Sequence, residues 1–311
     1  MRFVVKEPVE QDVQLITGWR DAAPLLDMDM YRALYGADKL YGAFGWTAKT
    51  PNVLDFYLCL HPNLLGRGHG LAACACALAW LQASFSPQGF RLMVCTEDLR
   101  ARRVLSRLGF VPLAIADGSL LMGLDVRPWR DATRPLENGM PVYHGDPPFD
   151  RHLFYHKEDC GWDMSVFAMS AHTGTHIDAP AHIGLPDDTE SFGIDRFCGI
   201  AQLLDWPTSG IEMVRSPRML LKLHGGSLTL SDAQALIDSG VTMLGVDAVS
   251  VSSGEAEWAV HDLLLRSDVA ILENAALEAF APGWYDMRCL PLPLPGSDGA
   301  PVRLFLREES L

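Results

Sequence analysis

The 311-residue sequence predicts an α/β protein with two domains. Its length exceeds that of one average domain and, at about 150 residues per domain, corresponds to two. The first part alternates strand-like and helix-like segments around a glycine-rich turn at 65–71, whereas the rest is richer in strands and turns. Between them, the apolar run 119–126 gives way to charges and two prolines in the segment Arg127-Pro-Trp-Arg-Asp-Ala-Thr-Arg-Pro135. We therefore predict domains at residues 1–127 and 128–311.

In the first domain, hydrophobic periodicity predicts a mixed sheet with helices. The predicted strands are 3–5, 40–47, 53–60, 90–95 and 119–126, and the predicted helices are 10–34, 72–84 and 99–108. The glycine-rich turn directly precedes the long apolar helix 72–84. Such a turn exposes backbone N–H groups at a helix N-terminus, which is a favourable place for a pyrophosphate group.

In the second domain, short apolar runs at 219–223, 242–246 and 269–272 predict buried strands. One helix is predicted after Ser231-Asp232, because either residue can cap it, and it is expected to end at Gly240. Strands joined by turns and a helix indicate an α/β domain that is rich in strands.

Composition excludes several classes of partner. The formal charge of −14 would repel a phosphate backbone, and no basic stripe offsets it, so nucleic acid is not an expected partner. No run of about 18 apolar residues predicts a membrane span. The start of the chain turns acidic early and lacks the features of a secretory signal, so we expect a cytoplasmic protein. The seven cysteines include no C-x-x-C pair and are expected to be reduced thiols.

The segment His172-Thr-Gly-Thr-His-Ile-Asp-Ala-Pro-Ala-His182 carries the strongest chemical signal. Its β-branched residues, glycine and proline disfavour a helix, so we predict an extended chain. With a period of two, His172, His176 and Asp178 then point to one face, and Gly174 leaves room between them for an ion. Two imidazoles and a carboxylate suit zinc, manganese or iron(II) better than calcium or magnesium, which prefer oxygen ligands.

His182 is expected to lie past the end of this strand, because Pro180 cannot continue a central strand. There it would be near enough to the ion to act without binding it. A divalent ion lowers the pKa of water from near 16 toward about 7 and polarises a carbonyl under attack. A histidine can then take a proton from water and pass it to a departing nitrogen, and we assign that role to His182. The alternative, ordinary polar residues on a strand, fits a lone histidine better than three histidines and an aspartate within eleven residues.

This segment resembles the H-x-G-T-H-x-D-x-P-x-H signature of the cyclase family, whose members include bacterial kynurenine formamidase (arylformamidase) and isatin hydrolase. The stretches 131–148, 245–250 and 290–303 resemble further parts of the same family, so the likeness spans about residues 130–305 in order. The resemblance implies a strand-rich domain of the swivelling β/α/β type and a metal-dependent hydrolase of a carbon–nitrogen amide bond. It also implies a homodimer or larger assembly.

By the same resemblance, a first metal ion is bound by His172, His176 and Asp178, and a second is completed by His261 and Glu273. Zinc or manganese, as one or two ions, is the implied cofactor. Without the resemblance, His261 opens a predicted helix, and a helix-cap role is the less favoured alternative. Glu273 ends an apolar run, where an unpaired carboxylate would be costly.

The implied substrate is a small molecule with an amide next to an aromatic ring. N-formylkynurenine is the leading member of that class, and a lactam is the alternative. The residues themselves do not choose between the two.

In the first domain, Arg67-Gly-His-Gly-Leu-Ala72 matches the R-x-x-G-x-A motif of the GNAT acetyltransferases. The helix that ends in Leu108-Gly-Phe110 adds to this resemblance. It implies a GNAT-like fold with acetyl-CoA at six positions: Arg67, Gly68, His69, Gly70, Leu71 and Ala72. Two positions depart from the pattern, because Asp98 stands where many members carry asparagine and Leu105 where a tyrosine general acid often sits. The domain is therefore either an N-acyltransferase whose product the second domain processes, or a CoA-binding or oligomerising module without catalysis.

Overall fold

The computed structural model describes residues 3–19, 24, 30–36 and 39–309. The chain divides into two compact units, Met1–Arg127 and Pro128–Leu311. Each unit has its own sheet and its own hydrophobic core. Within the described ranges, every helix is too short or too polar to span a bilayer.

The described residues of the first unit form a seven-stranded sheet with helices. Its strands are β1 (Val4–Lys6), β2 (Met30–Gly36), β3 (Lys39–Thr50), β4 (Val53–Leu60), β5 (Gly89–Cys95), β6 (Val111–Ala116) and β7 (Ser119–Asp125), in the order β1-β2-β3-β4-β5-β7-β6. The described helices are α1 (Glu10–Thr17), α2 (Gly70–Phe85) and α3 (Leu99–Arg107). Neighbouring strands are antiparallel except β4 and β5, which are parallel.

Helix α2 packs its small residues against the large side chains of the sheet. Ala73, Ala77 and Leu81 are buried in one cluster with Phe44 and Phe90. Alanines let the helix approach closely, and each fully buried phenylalanine contributes roughly 1.5–3 kcal/mol relative to an exposed one. This packing explains why so apolar a helix follows the glycine-rich turn.

The sequence-based assignment of a helix over 10–34 was wrong at its C-terminal end. Helix α1 ends at Thr17, and residues 30–34 belong to strand β2. Residues 20–23 and 25–29 lie outside the described part. The strand forms because β2 pairs with both β1 and β3, and these long-range partners outweigh local helix propensity. Strand β6, the edge of the sheet, was also not predicted.

The described residues of the second unit form ten strands. They are β8 (Arg130–Asp131), β9 (Asp150–Tyr155), β10 (Met164–Ala168), β11 (His176–Asp178), β12 (Cys198–Asp205), β13 (Arg218–Lys222), β14 (Met243–Val246), β15 (Ala270–Glu273), β16 (Gly283–Pro291) and β17 (Gly299–Glu308). Its α-helices are α4 (Lys157–Cys160), α5 (Leu230–Asp238) and α6 (Glu257–Arg266). The N-cap of α5 is Thr229, whose side chain accepts a hydrogen bond from the Asp232 backbone N–H, rather than the predicted Ser231 or Asp232.

Seven of these strands close on themselves. The order β11-β15-β14-β13-β12-β16-β17 returns to its start because β11 also pairs with β17. Alternating side chains form two cores: Ile177, Leu220 and Leu272 belong to the interior cluster, whereas Leu221 and Ile271 pack with the helices. Strands β12 to β15 therefore contribute to both cores, as the two-residue period of a strand allows.

Strands β9 and β10 form a separate antiparallel hairpin. All of their residues are exposed, although several are large and apolar. Such a hairpin buries little surface by itself, and an isolated two-stranded hairpin is marginally stable in water.

Candidate metal centre

Strand β11 positions the first two residues of the site. It is three residues long and lies between β15 and β17. Ile177 points into the interior core, so His176 and Asp178 on either side of it point outward, toward the helices. His176 lies opposite Glu273 on β15 in the strand register. Strand pairing therefore brings a carboxylate from distant sequence next to the histidine.

The residues before β11 form a turn, contrary to the predicted continuous strand over 172–178. Gly174 has a φ of +70°, a left-handed backbone conformation that residues other than glycine rarely adopt. A Cβ atom there would lie 2.6 Å from Leu136 Cδ2. Gly174 therefore permits a tight turn under Leu136 and does not leave room for an ion. His172 reaches the site from this turn.

His176 and His261 are held in the same way. His176 Nδ1–H donates to the Gly174 carbonyl oxygen at 2.9 Å, and His261 Nδ1–H donates to the Glu257 carbonyl oxygen at 2.8 Å. A carbonyl oxygen accepts only, so each histidine presents its Nε2 atom to the site. His261 lies in the second turn of α6, which begins at Glu257, and is therefore not a helix cap.

These Nε2 atoms face two buried carboxylates. His176 Nε2 lies 3.2 Å from Asp178 Oδ1 and 3.5 Å from Glu273 Oε2. His261 Nε2 lies 3.1 Å from Glu273 Oε1 and 3.7 Å from Asp178 Oδ2. The Val251 backbone N–H also donates to Glu273 Oε1 at 2.7 Å. Four residues from β11, β15 and α6 thus converge on one point.

His172 and His182 complete the group of histidines. His172 Nδ1 lies 2.8 Å from Asp178 Oδ1. His182 lies beyond the strand end, in the short 3₁₀ helix Pro180–Ile183, and its ring centroid is 4.3 Å from that of His172 and 5.8 Å from that of His261. His182 is the most exposed of the four histidines, so it borders solvent while the others are enclosed.

Burial and charge set the electrostatics of the centre. Burial by itself lowers the pKa of His176, but the adjacent Asp178 and Glu273 carboxylates raise it to about 10. Burial likewise lowers the pKa of His261, but the Glu273 and Asp178 carboxylates outweigh this effect and raise the pKa to about 9. For Asp178, burial raises the pKa, but His172 and His176 lower it well below its usual range. The buried carboxylates therefore stabilise positive charge at this point.

The donor atoms fit a divalent metal ion. His176 Nε2 and Asp178 Oδ2 are buried without a hydrogen bond, although such atoms are normally satisfied. Three groups place nitrogen and oxygen atoms within 4.8 Å of one another: His172 with His176 and Asp178, His172 with His182 and Asp298, and Asp178 with His182 and His261. Imidazole and carboxylate donors suit zinc, manganese or iron(II). His182 belongs to two of these groups, so its position is compatible with binding as well as with proton transfer.

Asp298 is the residue that the sequence did not identify. Its Oδ2 atom lies 3.0 Å from His172 Nε2 and 3.6 Å from His182 Nδ1. The resemblance had covered the stretch 290–303 without assigning it a role. An aspartate between serine and glycine at a strand start looks like a turn residue, and only the pairing of β17 with β11 places it beside the histidines.

In the first unit, the glycine-rich motif forms an exposed turn before α2. Gly66 and Gly68 have φ values of +77° and +81°, and α2 begins at Gly70 with His69 as its N-cap. Arg67 and Ala72 are exposed, and His69, Gly70 and Leu71 are partly buried. Strands β4 and β5 pair only from Val53 to Asp55, so they diverge toward this turn.

The two departures from the GNAT pattern have structural roles. Asp98 caps α3 by accepting hydrogen bonds from the backbone N–H groups of Arg100 and Ala101. Leu105 is buried in the sheet–helix core of the first unit. Leu105, at the position of the tyrosine, has no proton to donate.

The second unit is similar to proteins of the cyclase family. The family model described as "Putative cyclase" matches residues 130–223. Kynurenine formamidase of Bacillus thuringiensis is 32% identical over 208 residues, which cover 58% of this chain and 97% of that protein. A solved structure described as a potential metal-dependent hydrolase with cyclase activity is 26% identical with a TM-score of 0.51, covering 60% of this chain and all of the other.

The first unit has a more distant likeness. The N-acetyltransferase PseH of Campylobacter jejuni, solved with acetyl coenzyme A, covers 40% of this chain and 99% of its own. The sequence identity is 16% and the TM-score is 0.35. A likeness at this level assigns no activity.

Proposed function

Because the chain belongs to the cyclase family that includes the kynurenine formamidases, we propose that it is a metal-dependent hydrolase of a small carbon–nitrogen amide. An aryl formamide such as N-formylkynurenine is the leading substrate. The observation that carries this proposal is the buried pair His176 Nε2 and Asp178 Oδ2, which lack hydrogen bonds at a point where further imidazole and carboxylate groups converge.

The residues present would hold one or two zinc or manganese ions. His172, His176 and Asp178 form the first group, and His261 and Glu273 lie beside it with Asp178 between them. When bound, such an ion supplies a Lewis acid that activates water and polarises the amide carbonyl. The carboxylates and the backbone-oriented imidazoles keep that position pre-formed, since two strands and a helix hold them.

His182 is the residue that we propose for proton transfer. Its ring lies at the edge of the centre and is partly exposed, so a substrate arriving from solvent meets it first. An imidazole can take a proton from the attacking water and deliver it to the nitrogen that leaves with the aryl group. The departing amine is a poor leaving group unless it is protonated, so this step is needed in addition to activation of water.

The test is hydrolysis of N-formylkynurenine by purified protein reconstituted with zinc or manganese. We expect His176→Ala to lose both bound metal and activity. We expect His182→Ala to keep the metal and to lose rate by roughly 10²–10⁴-fold, the usual contribution of a general acid–base. His224→Ala is the matched control, because His224 pairs with Asp205 outside the centre. A fully active His176→Ala protein would contradict the proposal.

Assays of the same purified protein with different amides distinguish between the substrate classes. Turnover of N-formylkynurenine supports an aryl formamidase. Stoichiometric metal without formamide turnover, together with ring opening of isatin, would keep the hydrolase site and make the substrate a lactam.

For the first unit, we propose that the turn at 66–70 and the opening between β4 and β5 bind the pyrophosphate and pantetheine parts of acetyl-CoA. Two observations support this: the parallel strands diverge after Asp55, and α2 presents its N-terminus at the same turn. Titration of the whole chain with CoA tests binding. Acetyl transfer to an amine would indicate a transferase, whereas tight binding without turnover would indicate a CoA-binding module.

A further inference from the structure

Asp298 lies beside two histidines of the centre, outside the ligand set taken from the sequence. We propose that Asp298 is a positioning residue, which makes His172 present its Nδ1 atom to the metal while His176 and His261 present Nε2. This inference rests on the metal site of the proposed function. It adds a residue to that site and assigns the binding atom of each histidine.

The ring of His172 is held at both nitrogens. Its Nδ1 atom lies 2.8 Å from Asp178 Oδ1, and its Nε2 atom lies 3.0 Å from Asp298 Oδ2. Turning the ring over would place carbon atoms at both positions and lose both contacts. A metal-binding imidazole keeps one N–H, which it commonly donates to a carboxylate. For His172 that acceptor is Asp298, so Nδ1 remains for the centre.

The other two buried histidines have the opposite arrangement. His176 and His261 each donate Nδ1–H to a backbone carbonyl oxygen and face the carboxylates with Nε2. Among the three, His172 is therefore the one whose orientation depends on a side chain. Removing that side chain frees His172 and leaves the other two unchanged.

Asp298 is fixed by the closure of the barrel. Its carbonyl oxygen accepts a hydrogen bond from the Ala179 backbone N–H at 2.9 Å, just after β11 ends. Gly299 follows and lies opposite Asp178. A Cβ atom on Gly299 would lie 2.8 Å from His172 Cε1, so the imidazole packs directly on the backbone of this residue. The backbone at the start of β17 thus packs against the His172 ring and supports it.

The same carboxylate oxygen also faces His182, whose Nδ1 atom lies 3.6 Å away. This is an ion-pair distance that is longer than a hydrogen bond. Asp298 therefore restrains both a metal-binding residue and the residue proposed for proton transfer. Its loss should weaken metal binding and lower kcat, and should leave KM nearly unchanged if substrate binding relies on other groups.

The experiment compares Asp298→Ala and Asp298→Asn with Ser297→Ala in the full chain. Ser297 donates to the Gly299 carbonyl oxygen at 2.7 Å, so this control loosens the same turn without touching a histidine. We expect zinc affinity, measured by competition with a chelator, to fall about 10–100-fold in Asp298→Ala. Asp298→Asn, which retains an oxygen acceptor, should recover part of the loss, and Ser297→Ala should stay within about twofold of the unaltered chain.

Long-range ¹H–¹⁵N correlation of the zinc-loaded chain reports the tautomers directly. We expect Nε2–H for His172 and Nδ1–H for His176 and His261, with the His172→Asn variant identifying the first signal. Nδ1–H on His172, or equal zinc affinity in Asp298→Ala and the unaltered chain, would overturn the proposal. These readouts need no substrate. Failure of all amide substrates would therefore reject the proposed function while still deciding the role of Asp298.

Discussion

Metal binding should displace protons from the centre, and the number of protons follows from the structure. The pKa values of His176 and His261 are raised to about 10 and about 9 by the carboxylates around them. At pH 8 both groups are therefore mostly protonated without metal. Both must give up the Nε2 proton to bind an ion, and the pKa of the third histidine ligand, His172, is also raised, so filling the centre should release at least about two protons. Two ordinary histidines, with pKa values near 6.5, would release fewer than about 0.1 together.

The assay is calorimetric titration of metal-free protein with zinc at pH 8, in buffers of different ionisation enthalpy. The slope of observed heat against that enthalpy gives the proton count. We expect His261→Gln to reduce the count by about one, and His224→Ala to leave it unchanged because His224 lies outside the centre. A release of one proton or fewer by the unaltered chain would refute the electrostatic argument.

Three further predictions test the fold and assembly. Without metal, stability should fall as the pH rises from near 6.5 to about 10, because the folded-state pKa values of His176 and His261 are raised above their unfolded value near 6.5. Thermal melts with and without zinc check this, and a flat profile without metal would contradict it. Leu220→Ala in the closed strand barrel should cost about 2–5 kcal/mol in urea unfolding, against under about 0.5 kcal/mol for exposed Leu290→Ala. We propose that a second copy of the chain covers the exposed hairpin β9–β10. Phe154→Lys should then lower the molecular mass of the assembly measured by light scattering. A monomeric mass for the unaltered chain would reject the proposed dimer contact.

The character of the metal site was readable from the segment 172–182, because ligand-type residues cluster within eleven positions. The local chain explains part of its geometry: Pro180 ends the strand, and His176 and Asp178 share a face since strands alternate. The predicted strand back to His172 was wrong, because Gly174 turns the chain under Leu136. Periodicity describes a strand but does not show where the strand begins.

Local sequence therefore determined the residue types on which the proposed chemistry depends: three imidazoles and one carboxylate in one segment, an apolar helix after a glycine turn, and an acidic chain. Tertiary structure decided which distant groups join them. Glu273 meets His176 because β15 pairs with β11, and Asp298 meets His172 because β17 closes the barrel on its other side. Pairing with distant strands is also the reason why residues 30–34, predicted as a helix, form a strand. Strand pairing depends on partners far away in sequence, so no local pattern contains it.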